Sequence, residues 1–338
     1  MNRKLVLAAT LTFVLMGMLG VALKVERVEA SGTITIMADG SIVPSTANIT
    51  SVDNVTYTFT DNINDSLVVE RDNTVVDGAG YTVQGTGSGV GIQLYYTSNV
   101  TIKNTQVKAF WVGIHLASAS NNTISGNNIT ENSFNGISLM ASSGNNKFYH
   151  NNIMNNTNQV YWYTALTNVW DDGYPSGGNY WSDYSGVDSD FDGIGDTPYL
   201  IDETDQDGYP LMGTFSDFDA TSEHHVQTIC NSTISAFQFN GTALSFNVTG
   251  EDGTVGFCRT CIPRALMNET YQVFVNGTEV PHTLLPCSNS THSYLYFSYN
   301  HSTQEVMIIP EFPSFLILPL FMIATLLAVI LYRRKHSM

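Results

Sequence analysis

The chain repeats itself every 22 to 24 residues, and this period limits its possible folds more than any other feature. Asn121-Asn122-Thr123-Ile124-Ser125-Gly126-Asn127-Asn128-Ile129 aligns with Asn145-Asn146-Lys147-Phe148-Tyr149-His150-Asn151-Asn152-Ile153 at a shift of 24, and Asn132 then meets Asn156. Asn99-Val100-Thr101-Ile102-Lys103-Asn104 and Asn73-Thr74-Val75-Val76-Asp77-Gly78 belong to the same series. A second short strand recurs between them, as Val90-Gly91-Ile92-Gln93-Leu94, Val112-Gly113-Ile114-His115-Leu116 and Asn135-Gly136-Ile137-Ser138-Leu139. Alternating strands separated by Asn/Gly turns suit a parallel β-helix, whose coils stack about 4.8 Å apart. Leucine-rich repeats share the period but need recurrent leucines, which are absent. One coil cannot bury its own apolar side chains, so stacking makes the core. Leu67 to Tyr163 holds roughly four to five coils, and Ile102, Ile124 and Phe148 are expected in one interior column.

Asparagine occurs 30 times, while charged residues make up only 13%. Asn tolerates the left-handed turn conformation, and its amide can bond to the equivalent residue one coil away. Turn and ladder roles are therefore expected for nearly all of the coil asparagines. Gly78-Ala79-Gly80 and Gly85-Thr86-Gly87-Ser88-Gly89 read as tight corners, and no Lys-Ser/Thr follows them, which argues against a phosphate loop.

Val75-Val76-Asp77-Gly78-Ala79-Gly80-Tyr81, the Asn-Asn-Thr-Ile-Ser-Gly-Asn-Asn repeat and the stretch from Asn168 to Trp181 resemble NosD-type right-handed parallel β-helix proteins of the pectin-lyase-like fold and their archaeal surface relatives. The resemblance covers about residues 33 to 213. It implies a fold more than an activity, because this architecture hosts lyases, hydrolases, copper-delivery accessories and adhesins.

Residues 171 to 219 hold thirteen carboxylates, and no Lys or Arg stands between Lys147 and Arg259. Within that segment Asp188-Ser189-Asp190-Phe191-Asp192-Gly193-Ile194-Gly195-Asp196 resembles calcium loops. Asp188, Asp190, Asp192, the Ile194 carbonyl and Asp196 are the candidate Ca2+ ligands, and the glycine permits the sharp turn. Tyr199 stands where an EF-hand has its bidentate Glu, so Asp202, Glu203, Asp205 or Asp207 would close the shell, with Asp205-Gln206-Asp207-Gly208 as a partial second loop. Trp162, Trp170, Tyr174, Tyr180, Trp181 and Tyr184 surround the segment, and rings of this size suit a cap over the last coil.

From His225 to Ile309 the pattern changes to six short alternating strands with hairpin turns at Asn240-Gly241 and Asn276-Gly277, the signature of a small antiparallel β-sandwich. Cys230, Cys258, Cys261 and Cys287 are expected to form two disulfides outside the cell, with Cys258 and Cys261 on opposite strand faces and not joined to each other.

Arg3 and Lys4 precede an apolar run from Leu5 to Leu23 that ends near Ala30, which reads as a secretory signal. Phe315 to Tyr332 is an uncharged run followed by Arg333, Arg334 and Lys335, long enough for a transmembrane anchor with its C-terminus inside. Pro310-Glu311-Phe312 before it resembles archaeal Pro-Glu-Phe sorting signals. An outer location agrees with fourteen glycosylation sequons, at Asn48, Asn54, Asn64, Asn99, Asn121, Asn128, Asn155, Asn231, Asn240, Asn247, Asn268, Asn276, Asn289 and Asn300. A net charge of −17 argues against a nucleic-acid partner, which would need a basic groove.

The plan is therefore all-β: signal peptide (1–30), N-terminal cap strands (31–66), parallel β-helix (67–165), acidic calcium-loop segment (166–224), β-sandwich (225–309) and transmembrane sorting tail (310–338). The expected function is that of an anchored, glycosylated, non-catalytic surface protein that is structural or binds carbohydrate, with extracellular glycans or surface-layer proteins as partners. A polysaccharide lyase or glycosidase is the first alternative. Its acids would come from Asp65, Glu70, Asp72, Asp77 and Glu131, yet no repeat-aligned carboxylate pair stands out. The second alternative, a copper accessory, would draw on His224-His225, His115, His150, Met140 or Met154, which form no compact ligand set in the sequence.

Overall fold

The computed structural model describes residues 32–311 apart from 165, 268 and 269, together with Met322 and Thr325. The expected signal peptide, Phe312 of the sorting motif, the sequon at Asn268 and all but two residues of the apolar run 315–332 lie outside the described residues. Among the described residues no helix is long and apolar enough to cross a membrane.

Residues 32–181 wind into a parallel β-solenoid with three faces. The seven-stranded face stacks Thr33–Ile36, Ser66–Val69, Val90–Tyr95, Val112–Ala117, Asn135–Met140 and Asn158–Tyr163 in parallel, with Ile42–Val43 antiparallel at its edge. The six-stranded face carries Thr56–Phe59, Thr74–Asp77, Val100–Lys103, Thr123–Ser125 and Lys147–Tyr149 in parallel with Ile49–Thr50 antiparallel at its edge, and the five-stranded face runs from Thr82–Gln84 to Tyr180–Trp181. Because side chains alternate along each strand, every second residue enters the core. Val76, Ile102, Ile124 and Phe148 are register partners with no exposed surface, so the expected interior column exists. The first coil begins earlier than the sequence pattern suggested. Thr33–Ile36 and Thr56–Phe59 already pair in parallel with the next coil, while Ile42–Val43 and Ile49–Thr50 pair antiparallel at the open edges.

Buried amides run through the turns in files. Asn122 donates its backbone N–H and its Nδ2 to Asn146 Oδ1 at 2.9 and 3.0 Å, and Asn146 repeats both bonds to Asn168 Oδ1. Asn127, Asn151 and Asn179 form a second file with the same two bonds per step. A third runs from Asn132 to Asn156 and on to Gln159. These files have a direction: each amide accepts from one coil and donates to the next, so the last asparagine needs a pure acceptor. Asp205 accepts the Asn168 N–H at 3.0 Å, and Asp207 accepts the Asn179 N–H at 2.7 Å. The indole N–H groups of Trp170 and Trp181 donate to the same two carboxylates. Asp205 and Asp207 are thus buried terminators of the amide files, which corrects their reading as a second calcium loop. Of the six rings expected to cap the last coil, Trp170 and Trp181 do so, while Trp162 and Tyr174 are exposed. Trp170 stacks on Phe148 at 4.3 Å, Tyr199 stacks on Trp181 at 4.3 Å, and both indoles are buried.

Residues 214–310 form two five-stranded antiparallel sheets. Val226, Leu244, Phe246, Val273, Leu295, Phe297 and Ile308, drawn from both sheets, belong to one buried cluster. The six strands expected here are observed within about one residue, together with Thr214–Asp219, His225–Cys230, Thr278–Val280 and His282–Leu284, which the pattern did not reveal. The first of these lies inside the segment assigned as acidic loop. Its carboxylates, depleted in strands as a class, hid it. Coil and sheets meet through Asn152, whose amide imitates a strand partner: Nδ2 donates to Phe215 O at 2.9 Å and Oδ1 accepts from Phe215 N at 2.7 Å. His150 stacks on the Phe215 ring at 4.0 Å.

Candidate functional site

From Val90–Tyr95 to Asn158–Tyr163 the outward side of the seven-stranded face carries aromatic residues and no Asp, Glu, Lys or Arg; the exposed Glu70 follows one coil below Tyr95. Register alignment gives two outward columns, Gln93–His115–Ser138–Tyr161 and Tyr95–Ala117–Met140–Tyr163, and neither contains Asp, Glu, Lys or Arg. Beside them Trp111 stacks parallel on Phe134 with centroids 4.8 Å apart, and Phe134 leans on Tyr161 at 6.3 Å. Tyr95, Tyr96, Trp111, Tyr161 and Tyr163 are all exposed. The chain as a whole carries a net charge of −17, so exposed rings without formal charge between them set these columns apart from the rest of the surface. Sequence reading located the repeat but missed this face, because aromatic residues in different coils become neighbours only when the register is known. The signal was the aromatic residue just before two of the three such strands, Trp111 before Val112-Gly113-Ile114 and Phe134 before Asn135-Gly136-Ile137, where the first has Gly89.

A cleft of about 790 Å3 separates the coil from the first sheet of the second unit. Its coil wall is the corner at Asp77 to Gly80 and its neighbours in the next coils, and its other wall is Phe215 to Asp219 with His225. Gly78 is required at this corner, since a Cβ there would lie 2.3 Å from Thr105 Oγ1 and 2.6 Å from Asn104 O. Asp77 accepts the Ala79 N–H at 2.9 Å, as expected of a turn-capping residue, and pairs with Lys103 Nζ at 2.9 Å. Burial works to raise the Asp77 carboxyl, but Lys103 and the Ala79 amide outweigh it and hold the group below its ordinary value. Across the cleft burial pushes Asp217 up, while His225 at 3.6 Å pulls it back. His225 Nδ1 also lies 3.0 Å from Asp219. Opposed shifts in one cleft are the pattern of an acid and a base, but Asp77 is committed to Lys103, Ala79 and Asn104. Its register partners are Thr58 and Lys103, not a second carboxylate.

Asp188, Asp190 and Asp192 converge, with one ligand atom from each within 4.8 Å of the others. The remaining two expected ligands, Asp196 and the Ile194 carbonyl, follow in the same loop. Asp196 accepts the Ser189 N–H at 2.9 Å, and the Ile194 side chain is buried with Leu211 and Phe215. Asp188 receives the N–H groups of Asp192 and Gly193, which shapes the turn. The buried Arg259 guanidinium donates to Asp192 O at 3.0 Å and to Pro175 O at 2.7 Å, with Asp192 Oδ2 3.9 Å away. That cation already offsets part of the charge of the loop and ties the second unit to it.

Residues 22–186 match the family described as periplasmic copper-binding protein (NosD). The coil is a NosD-type parallel β-helix. Over 122 residues, 36% of this chain and 25% of that protein, it is 35% identical to a probable ABC transporter binding protein NosD of Pseudomonas aeruginosa. Over 79 residues, 23% of this chain and 17% of that protein, it is 42% identical to the protein of the same name from Stutzerimonas stutzeri. The chain thus spans a quarter or less of the length of these curated relatives.

Copper is held by converging imidazole, thioether or thiolate donors. On the NosD-type coil His115 stands edge-on to Tyr95, and His150 is buried with Nε2 2.9 Å from Ser176 O. Burial brings His150 down to about 4. His224, His225, His292 and Cys261 line one cavity of about 500 Å3 in the second unit. Yet among the described residues the group of three or more His, Cys, Asp or Glu with converging ligand atoms is the Asp188–Asp190–Asp192 trio, which is all hard oxygen. The residues described do not fit a preformed copper centre.

Cys230, Cys258, Cys261 and Cys287 are not joined to one another in the structure. Cys230 and Cys258 face each other in register on adjacent strands, but Cys230 Sγ is directed to Phe257 O at 3.0 Å and Tyr299 OH at 3.3 Å. Burial pushes the Cys261 thiol up to about 11. Eleven of the sequon asparagines are exposed and Asn128 and Asn247 are half-buried. None of the buried file asparagines is a sequon acceptor.

Proposed function

We propose that this chain is a non-catalytic, extracytoplasmic binding rod whose NosD-type coil presents the aromatic side of its seven-stranded face to an uncharged glycan. The observation that carries this reading is the pair of outward columns without a formal charge, flanked by exposed rings, on a strongly acidic chain. Stacking on aromatic rings needs no charge, and a rigid solenoid pays little ordering entropy when a ligand lies along it. The reading places the rod outside the cell, in keeping with the periplasmic description of the matching family and with the exposed sequons, and holds it there through the C-terminal apolar run. Calcium held by Asp188, Asp190 and Asp192 would steady the capping segment with the weak, extracellular grade of affinity, about 10⁻⁴ to 10⁻³ M.

The test is affinity electrophoresis and pull-down of the purified full-length chain against neutral and polyanionic polysaccharides, with reducing ends assayed in parallel. Retention by a neutral glycan, undiminished at high salt and without new reducing ends, is the expected result. Salt-sensitive binding to polyanions alone, or turnover of any glycan, would overturn it. In the same samples calcium is expected to raise the melting temperature, and tight stoichiometric copper would transfer the assignment to the copper accessory role.

A further inference from the structure

Resting on the glycan-binding reading, we infer that the Trp111 indole, backed by Phe134 and open over the Gly85–Gly89 corner, is the platform on which one pyranose ring of a neutral glycan stacks. One face of the indole lies flat on Phe134, 4.8 Å away and within 7° of parallel, so the ring is fixed before any ligand arrives. Register places Gly89 one coil below Trp111, whose N–H donates to Gly89 O at 3.1 Å. The residue that would cover the second face of the indole is therefore a glycine. A Cβ at Gly87 would meet nothing within 4 Å, and one at Gly89 only Ser66 Oγ at 3.9 Å. Trp111 keeps half of its surface in solvent as a result.

A fixed, flat, half-open ring suits a flat apolar partner, and the apolar face of a sugar ring is one whose rim carries hydroxyls. The surroundings offer the matching polar groups. Thr86 and Ser88 are exposed on the corner, and Gln93 stands half-buried in the adjacent column. The absence of Asp, Glu, Lys and Arg from both outward columns complements an uncharged sugar and offers a uronic acid or an amine no counter-charge. The other exposed indole, Trp162, stands at the last coil, where its register partner Leu139 is an interior residue. Trp162 therefore belongs to the end of the core stack, whereas Trp111 belongs to the outer surface.

The experiment uses the full-length chain, the best-retained neutral polysaccharide and its oligosaccharides, with three variants: Trp111→Ala, Trp111→Phe and Ser88→Phe. Trp111→Ala is expected to weaken binding at least about tenfold, and Trp111→Phe to restore most of it. Ser88→Phe adds a ring on the exposed corner and leaves Trp111 and Phe134 themselves unchanged, and is expected to block binding with the melting temperature unchanged. Saturating oligosaccharide is expected to shield indole fluorescence from acrylamide in the wild type and in Trp162→Phe. Wild-type affinity in both Trp111→Ala and Ser88→Phe would overturn the platform while leaving the glycan-binding reading in place. Failure of the wild type to bind any neutral glycan would overturn both. If Trp111→Ala does not fold, Ser88→Phe and the quenching measurement decide the matter.

Discussion

Replacing Asn151 by alanine is expected to cost about 3–6 kcal/mol of stability, a loss out of proportion to the few atoms removed. Asn151 Oδ1 accepts both the Asn127 N–H and Asn127 Nδ2, and its own Nδ2 donates to Ile124 O at 2.8 Å and to Asn179 Oδ1 at 2.9 Å. All of these groups are buried between coils, where water does not replace the missing partner. The Asn127 N–H would be left without a partner, costing about 1–3 kcal/mol, and the bonds lost at Ile124 O, Asn127 Nδ2 and Asn179 Oδ1 add to that. Urea denaturation of the variant beside the exposed-site control Asn64→Ala checks it, the control being expected to change stability by less than about 0.5 kcal/mol. Equal stability of the two variants would mean that the amide files are ornament and that apolar stacking alone holds the coils.

The end of the same file gives the second large effect. Asp207→Ala leaves the Asn179 N–H, the Trp181 indole N–H and the Tyr209 N–H without an acceptor at a site with no exposed surface, and about 3–6 kcal/mol is again expected. Asp207→Asn is a sharper probe, since it keeps one oxygen but turns an NH2 group toward those donors. Burial pushes the Asp207 carboxyl up to about 7, against the pull of its donors, from an ordinary value of 3.8. A carboxyl raised on folding contributes its stability fully below 3.8 and loses it as the pH rises through 7. His150, brought down to about 4 from 6.5, acts in the opposite sense, and its contribution is lost as the pH falls below 6.5. The measurement that isolates Asp207 is therefore the stability difference between wild type and Asp207→Asn, which should shrink as pH rises from about 4 to 7. A difference that stays constant across that range would place the titration elsewhere.

The repeat, the interior columns and the need for Asn-rich turns were legible because a solenoid writes its tertiary contacts into local periodicity. Ile102, Ile124 and Phe148 are long-range neighbours that nonetheless recur at fixed spacing. The acidic segment was legible only in part. Its thirteen carboxylates all look like cation ligands or solvated charges when read in order, yet Asp188, Asp190 and Asp192 converge while Asp205 and Asp207 turn inward to end amide files. The role of an acidic side chain depends on which donors the fold brings to it, and those donors, on Asn168, Asn179, Trp170 and Trp181, lie 26 to 37 residues away.

The sequence by itself determined the stacked-coil architecture and the two-part organisation, because a period near two dozen residues can bury its apolar side chains only by piling up, and alternating strands after residue 225 follow a different rule. Only the tertiary structure decided where the coils begin, how Asn152 joins the two units by posing as a strand, and which side of the rod is uncharged and aromatic. Those features depend on register between coils and on one side-chain amide meeting one backbone segment 63 residues away. Such meetings are fixed by packing free energy summed over the whole solenoid and leave no mark on any short stretch of chain.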